Sequence, residues 1–331
     1  MKVLLVGAGA VGQVFGRHLQ EGGAEVSFFV REKYAQEARQ GFWMAPWDRK
    51  DPLLHPVRFE GFGVLTTLEE VRQTRWQQVY LCVSSAALRM GWIEDIARSI
   101  GDAVVIALQP GVHDRDLLHR FIGPERLVMG TISFLSYHAP LSDESVLHPC
   151  TAYWFPPHSP TPLSSPSEEH CRFVVEALKR GKLPVIAVRD IVDSSAYISA
   201  FLMHLVAALE CNGWSFRQLA RSPDLQSIRS ATLEVFHAFQ NSYRPPFPLW
   251  LFRLLLRPIW MRLGLAIAPK IVPFSIERFL QIHFSKVGDQ TLLMLADSMA
   301  FGKQRGLSML ALFSLSERLR QHRAKHRAEN A

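Results

Sequence analysis

Residues 1–16 read MKVLLVGAGAVGQVFG, an apolar run from Val3 to Val6 that breaks into glycines at positions 7, 9 and 12. Apolar residues on consecutive positions suit a parallel strand covered on both faces. Each glycine then has a physical task. The first permits a tight turn, the second lets backbone approach a diphosphate, and the third lets a helix pack against the strand. Val11, Val14, Phe15 and Leu19 follow at helical spacing, and Gly22 and Gly23 end the pattern. The start of such a helix carries unpaired N–H groups and a partial positive charge, which together suit an anion. Gly7, Gly9, Ala10, Val11 and Gly12 are therefore the expected diphosphate cradle.

Outward from this stretch the first half of the chain alternates strand and helix patterns. EVSFFV (25–30) is the second strand, and it ends at Arg31, nineteen residues past Gly12. An acidic residue at that place holds the ribose hydroxyls of NAD, whereas the planar guanidinium of an arginine suits the additional 2′-phosphate of NADP. Arg31, with Lys33 just beyond it, points to NADP; Glu32 between them leaves the acidic alternative open. VYLCVS (79–84) and AVVIAL (103–108) are further buried strands, with a helix expected over 86–100 between them. RLVMGTISF and TAYWF come next, the second expected at a sheet edge. The Pro- and Ser-rich residues 156–167 read as a surface loop, before a helix (EEHCRFVVEALKRG) and a strand (LPVIAV) that complete the sheet. From about Asp190 onward the periodicity is helical. The expected fold class is α/β: a Rossmann-type doubly wound sheet over residues 1–189, followed by an all-helical domain over 190–331 for substrate binding or dimerisation.

Composition narrows the function classes. The 331 residues are 48% hydrophobic and 20% charged, with a net charge of +7, as expected of a soluble globular protein. The basic end RLRQHRAKHRAEN reads as a frayed helical terminus, and no nucleic-acid-binding motif accompanies it. Cys82, Cys150, Cys171 and Cys211 lie far apart, and His113, His138, His148 and His158 share no ligand spacing, so no metal is expected. The cysteine usage and a glycine pattern in place of a cleavable leader point to a cytoplasmic protein. One stretch stands apart, FPLWLFRLLLRPIWMRLGLAIA (247–268). Its length approaches a membrane span, yet Arg253, Arg257 and Arg262 interrupt it and Pro258 would bend it. It reads first as a buried or subunit-contact helix pair, with a weak membrane-surface contact left open.

MKVLLVGAGAVGQVFGRHL, VREKYAQEARQG, LQPGVHDRDLLHRFIGPERLVMGTISF, VLHPCTAYWF and IERFLQIHFSKVGDQTLLMLADSMAFGKQRG together resemble the ketopantoate reductases, the 2-dehydropantoate 2-reductases. The resemblance implies a Rossmann domain, a helical C-terminal domain and NADPH as hydride donor. It maps the cofactor glycines onto Gly7, Gly9 and Gly12 and the phosphate-reading arginine onto Arg31. Ser84 stands where the family has a lysine near the cofactor phosphate, and Gln109-Pro110-Gly111 stands where the family has Gln-Asn-Gly; these too are expected beside the cofactor. In the first helix of the second half, aligning Tyr197 with the Trp of the family's W-x-K places Ser199 at the catalytic lysine, and a one-residue slip places Ile198 there.

Hydride transfer to a ketone leaves a developing alkoxide that needs a positioned acid. The expected replacements are His283 and Lys286, which with Gln290 would share a helix face, Asp289 lying beside them and the lysine partly buried. His204, on an apolar helix, reads as a core imidazole. The expected activity is NADP-dependent hydride transfer to a 2-oxo acid or other small carbonyl substrate, with a homodimer compatible. The alternative is a non-catalytic NADP-binding sensor or interaction protein.

Overall fold

The computed structural model describes residues 1–48, 54–109, 111–141, 144, 146, 148–286 and 288–329. Its strands are β1 (Lys2–Val6), β2 (Glu25–Phe29), β3 (Phe42–Pro46), β4 (Val57–Phe59), β5 (Gly63–Leu65), β6 (Gln78–Leu81), β7 (Val104–Ala107), β8 (Leu127–Gly130), β9 (Leu135–Ala139), β10 (Cys150–Trp154), β11 (Thr161–Ser164) and β12 (Val185–Ala187). Its helices are α1 (Ala10–Glu21), α2 (Ala35–Arg39), α3 (Leu68–Arg72), α4 (Ser85–Leu88), α5 (Ile93–Ser99), α6 (Asp114–His119), α7 (Glu168–Arg180), α8 (Ile191–Cys211), α9 (Phe216–Arg221), α10 (Asp224–Phe239), α11 (Leu249–Leu255), α12 (Pro258–Ile271), α13 (Ile276–Lys286), α14 (Gly288–Lys303) and α15 (Leu310–Glu329). The described chain divides into two compact units, Met1–Pro110 with Asp114–Ile191, and Gly111–His113 with Val192–Ala331.

The first unit is built on a sheet ordered β12-β11-β8-β7-β6-β1-β2-β5. The opening strand is its hinge of topology. β1 pairs in parallel with β2 on one side and β6 on the other, Val6 facing both Phe29 and Leu81. From β1 the order runs outward in two directions, so a crevice opens past the carboxyl ends of β1 and β6, where ligands of such sheets bind. Val3, Leu4 and Leu5 are fully buried, as an apolar run in a sheet covered on both faces requires.

Three local expectations are corrected. TAYWF was expected at a sheet edge; β10 instead is an inner strand of a second sheet, β4-β3-β10-β9, parallel to β3 and antiparallel to β9. All five of its residues are buried, which an edge position would not allow. The loop expected over 156–167 contains β11, antiparallel to β8 and parallel to β12. Its proline disguised it: Pro162 lacks an N–H, but its carbonyl accepts from Thr131 at 3.4 Å while Thr161 N–H reaches Pro184 O at 2.8 Å. The single helix expected over 86–100 is two helices, α4 and α5, separated at Gly91, whose φ of +83° ends a right-handed helix.

The second unit is helical. α10 packs on α14 and α15, and Glu234 caps α15 by accepting the N–H groups of Ala311 and Leu312, each at 3.0 Å. Arg323 grips Glu210 with two bonds, 2.6 and 2.7 Å. α8 is long and apolar enough to cross a membrane; Tyr197, Met203, Val206 and Leu209 along it are buried in the unit, which accounts for its hydropathy. The stretch 247–268 is broken at Pro258 into α11 and α12, as the proline requires. Of the expected buried or subunit-contact pair, only one side is buried within the unit: Phe252, Leu256, Met261 and Leu265 are buried, whereas Trp250 is 66% and Ile259 63% exposed.

Candidate functional site

The glycine stretch folds into an anion cradle. Gly7 has φ +103°, and a Cβ there would stand 2.8 Å from Cys82 O. A Cβ on Gly12 would collide with Gly7 O, so the helix can approach the turn only because that residue has no side chain. Gly9 differs from both: nothing lies within 4 Å of a Cβ built there, so its backbone borders open space. Gly9 also N-caps α1 without any side-chain cap, and the first turn carries no acidic residue. The N–H groups of Ala10, Val11 and Gly12 are thus helix-start donors with no partner inside the helix. Gln13 fixes the turn from below. Its Nε2 donates to Ala8 O at 2.9 Å, and its Oε1 accepts from Thr151 Oγ1 of β10 at 2.6 Å.

The cradle opens into a cavity of about 590 Å³, whose wall includes Gly7, Ala8, Gly9, Arg31, Tyr34 and Trp92. That volume is within the range of small-molecule and cofactor sites. Arg31 and Lys33 stand near the Tyr34 ring, at 5.7 and 4.8 Å from its centroid. Arg31 is exposed and has no carboxylate partner among the described residues, so its guanidinium is available to a phosphate. Lys33 does not border the cavity, and neither does Glu32; Glu37 does. Tyr34, Trp92, Asp95 and His138 belong to the wall and were missed in the sequence. Tyr34 alone had a visible signal, an aromatic residue directly after the basic pair.

Beyond β6 and β7 the expected cofactor residues have other work. Ser84 caps α4, its Oγ accepting the Ala87 N–H at 3.2 Å, while its neighbours Val83 and Ala87 line the cavity. Gln109 is buried and staples two strand ends, its Nε2 donating to Leu81 O at 2.7 Å and to Val83 O at 2.8 Å. Its Oε1 has no hydrogen-bond partner among the described residues. Pro110 lies outside the described residues, and Gly111 is buried and belongs to the second unit.

In the second unit the His283–Lys286 pair sits at the end of α13, with Gln290 on α14 and Val287 between them outside the described residues. Lys286 is exposed, not partly buried. The His283 ring stacks on Phe279 at 5.5 Å and meets Phe284 edge-on at 4.9 Å. Crowding by these rings, and secondarily the Lys286 cation, lowers its pKa. The pair borders neither of the two cavities described here.

His204 is different. It is fully buried, and its Nδ1 is 2.9 Å from Thr232 Oγ1, but its Nε2 has no partner among the described residues. Burial pushes its pKa down to about 3, so it is neutral near pH 7. It helps line a niche of about 10 Å³ together with Ser199, Asp297 and Ser298, room for one small polar group. Ser199 thus borders a mixed recess, whose wall also includes Ala196, Met203, Met294 and Leu295. No group of three or more potential metal ligands occurs among the described residues.

Residues 3–141 match a family model described as Ketopantoate reductase PanE/ApbA. No curated protein sequence matches the chain. Among solved structures, it is similar to 2-dehydropantoate 2-reductase from Geobacter metallireducens GS-15, with 14% identity, TM-score 0.72, and 97% of this chain and 99% of that chain covered. It is also similar to a PanE/ApbA family ketopantoate reductase from Ralstonia eutropha JMP134, with 17% identity, TM-score 0.69, and 99% and 100% covered. A D-mandelate dehydrogenase with NADH and anilino(oxo)acetate shows 14% identity, TM-score 0.67, and 98% and 99% covered. At these identities the structural likeness is one of fold, running the length of the chain. Residues 3–141, which contain the glycine cradle and the whole wall of its cavity, are thus similar to the ketopantoate reductase PanE/ApbA family.

Proposed function

We propose that the chain is an NADP-dependent oxidoreductase that reduces a 2-oxo acid or another small carbonyl compound. The observation that carries this reading is Gly9: open space over its backbone, unpartnered N–H groups beside it, and Arg31 on the wall of the same cavity. The cradle would hold the diphosphate, and Arg31 would take the 2′-phosphate through a charge-assisted hydrogen bond. When bound, NADPH supplies the hydride. The 2-oxo acid class is favoured by the names of the fold neighbours, a 2-dehydropantoate 2-reductase and a D-mandelate dehydrogenase holding anilino(oxo)acetate.

For the oxygen that gains charge, we assign the niche of Ser199, His204, Asp297 and Ser298 ahead of the exposed His283–Lys286 pair. The niche is concave, and it contains an imidazole nitrogen whose hydrogen bond is unmade. If Thr232 donates to Nδ1, a neutral His204 presents Nε2–H as a donor to that oxygen. The test is oxidation of NADPH followed by absorbance with a panel of 2-oxo acids, for the wild type, His204→Ala and Lys286→Ala. Turnover lowered about 100-fold in His204→Ala, with coenzyme affinity retained, supports the assignment; loss confined to Lys286→Ala transfers it to α13.

A second reading, coenzyme binding without turnover, is favoured by Ser199 standing where the family has its lysine. Tight NADPH binding with no oxidation by any carbonyl compound selects it.

A further inference from the structure

α11 and α12 present an apolar face that the fold does not use. On α12, Ile259, Leu263, Ile267 and Ile271 recur every fourth residue and are 63, 47, 40 and 50% exposed, a continuous outward stripe. Trp260 flanks the stripe, and Trp250 on α11 is 66% exposed. Met261 and Leu265 are the helix's buried contacts on the opposite side. Contiguous apolar surface of this kind on a helix marks an interaction site.

The charges around it decide the occupant. From Val235 to Ile276 there is no aspartate or glutamate, but Arg244, Arg253, Arg257, Arg262 and Lys270 are present. All five are exposed, and α9, which packs on α12, adds exposed Arg217 and Arg221. The nearest carboxylates are engaged inside the unit: Glu277 accepts the Phe216 N–H, and Glu234 caps α15. A second copy of this face would bring cations against cations with no acid to pair. An anionic surface meets both features, since it attracts the basic rim and receives the apolar stripe and the tryptophans at its boundary. We propose that α11 and α12 dock the protein, in the plane of the interface, onto a bilayer rich in anionic lipid.

The test is flotation of the full chain with vesicles of phosphatidylcholine alone or mixed equally with phosphatidylglycerol, together with tryptophan emission. The expected results are co-flotation with the anionic vesicles only, a blue shift of emission, and release by high salt. The Ile259→Ser/Leu263→Ser/Ile267→Ser variant should bind at least about tenfold more weakly, and circular dichroism checks that it is folded. Arg253→Glu/Arg257→Glu, which leaves the stripe intact, should also lose binding. Failure of the wild type to float with anionic vesicles at low salt overturns the proposal. So does a concentration-dependent dimer in sedimentation that the triple serine variant abolishes, because the face would then be an interface between copies.

Discussion

The cradle of the first unit and the niche of the second are made of different material. The cradle is backbone: N–H groups at the start of α1, a turn at Gly7, and glycines that keep side chains out. The niche is side chains: Ser199, His204, Asp297 and Ser298 projecting from two helices. A backbone site needs only the absence of Cβ atoms at a few positions, so it tolerates wide change elsewhere. A side-chain site changes chemistry with every substitution.

The largest effect that would break the contrast is at Gly12. In Gly12→Ala the new methyl group meets Gly7 O, and only backbone movement relieves it. Calorimetry with NADPH should show affinity reduced at least about 100-fold, with a stability loss of about 1–3 kcal/mol in urea unfolding. A variant that binds normally would show that the α1 terminus is not the diphosphate site. Arg31→Ala comes next. It should lower NADPH affinity about 10- to 50-fold and leave NADH within about twofold, because only the phosphate contact is removed. Equal losses for both coenzymes would reassign the arginine to a structural role.

The smallest effect sharpens the niche. His204 stays neutral in the folded chain, whereas in the unfolded chain it gains a proton near its ordinary pKa of 6.5. Stability from this residue is therefore complete above about pH 6.5 and declines as pH falls toward 3. Between pH 7 and pH 5 the wild type should lose about 2 kcal/mol more than His204→Gln, at about 1.4 kcal/mol per pH unit below the unfolded pKa. Parallel urea curves for the two proteins would mean that the imidazole is hydrated, not sealed.

The two-part fold was legible because its signals are periodic: buried apolar runs for β1, β6 and β7, glycine spacing at the first turn, helical spacing after Asp190. What escaped was non-local. Nothing in TAYWF distinguishes an edge strand from the middle of a second sheet, since its partners β3 and β9 lie far apart in the chain. Pro162 concealed β11 because a proline usually argues against a strand, yet here only its carbonyl is needed. His204 read as ordinary core, because sequence shows that an imidazole is on an apolar helix but not that one of its nitrogens lacks a partner. The surface position of 247–268 was equally invisible: an apolar stripe looks the same whether it turns toward neighbouring helices or away from them.

The bond from Thr151 to Gln13 has a consequence for how the first unit tolerates mutation. Because Gln13 also holds the Ala8 carbonyl, the small sheet props the diphosphate turn through a single buried amide. A valine at 151 would fill the same volume but leave Gln13 Oε1 unmet, free to swing and take Ala8 with it. The turn would then slacken through a strand that does not border the cavity, so a screen confined to the cavity wall would overlook one of its supports.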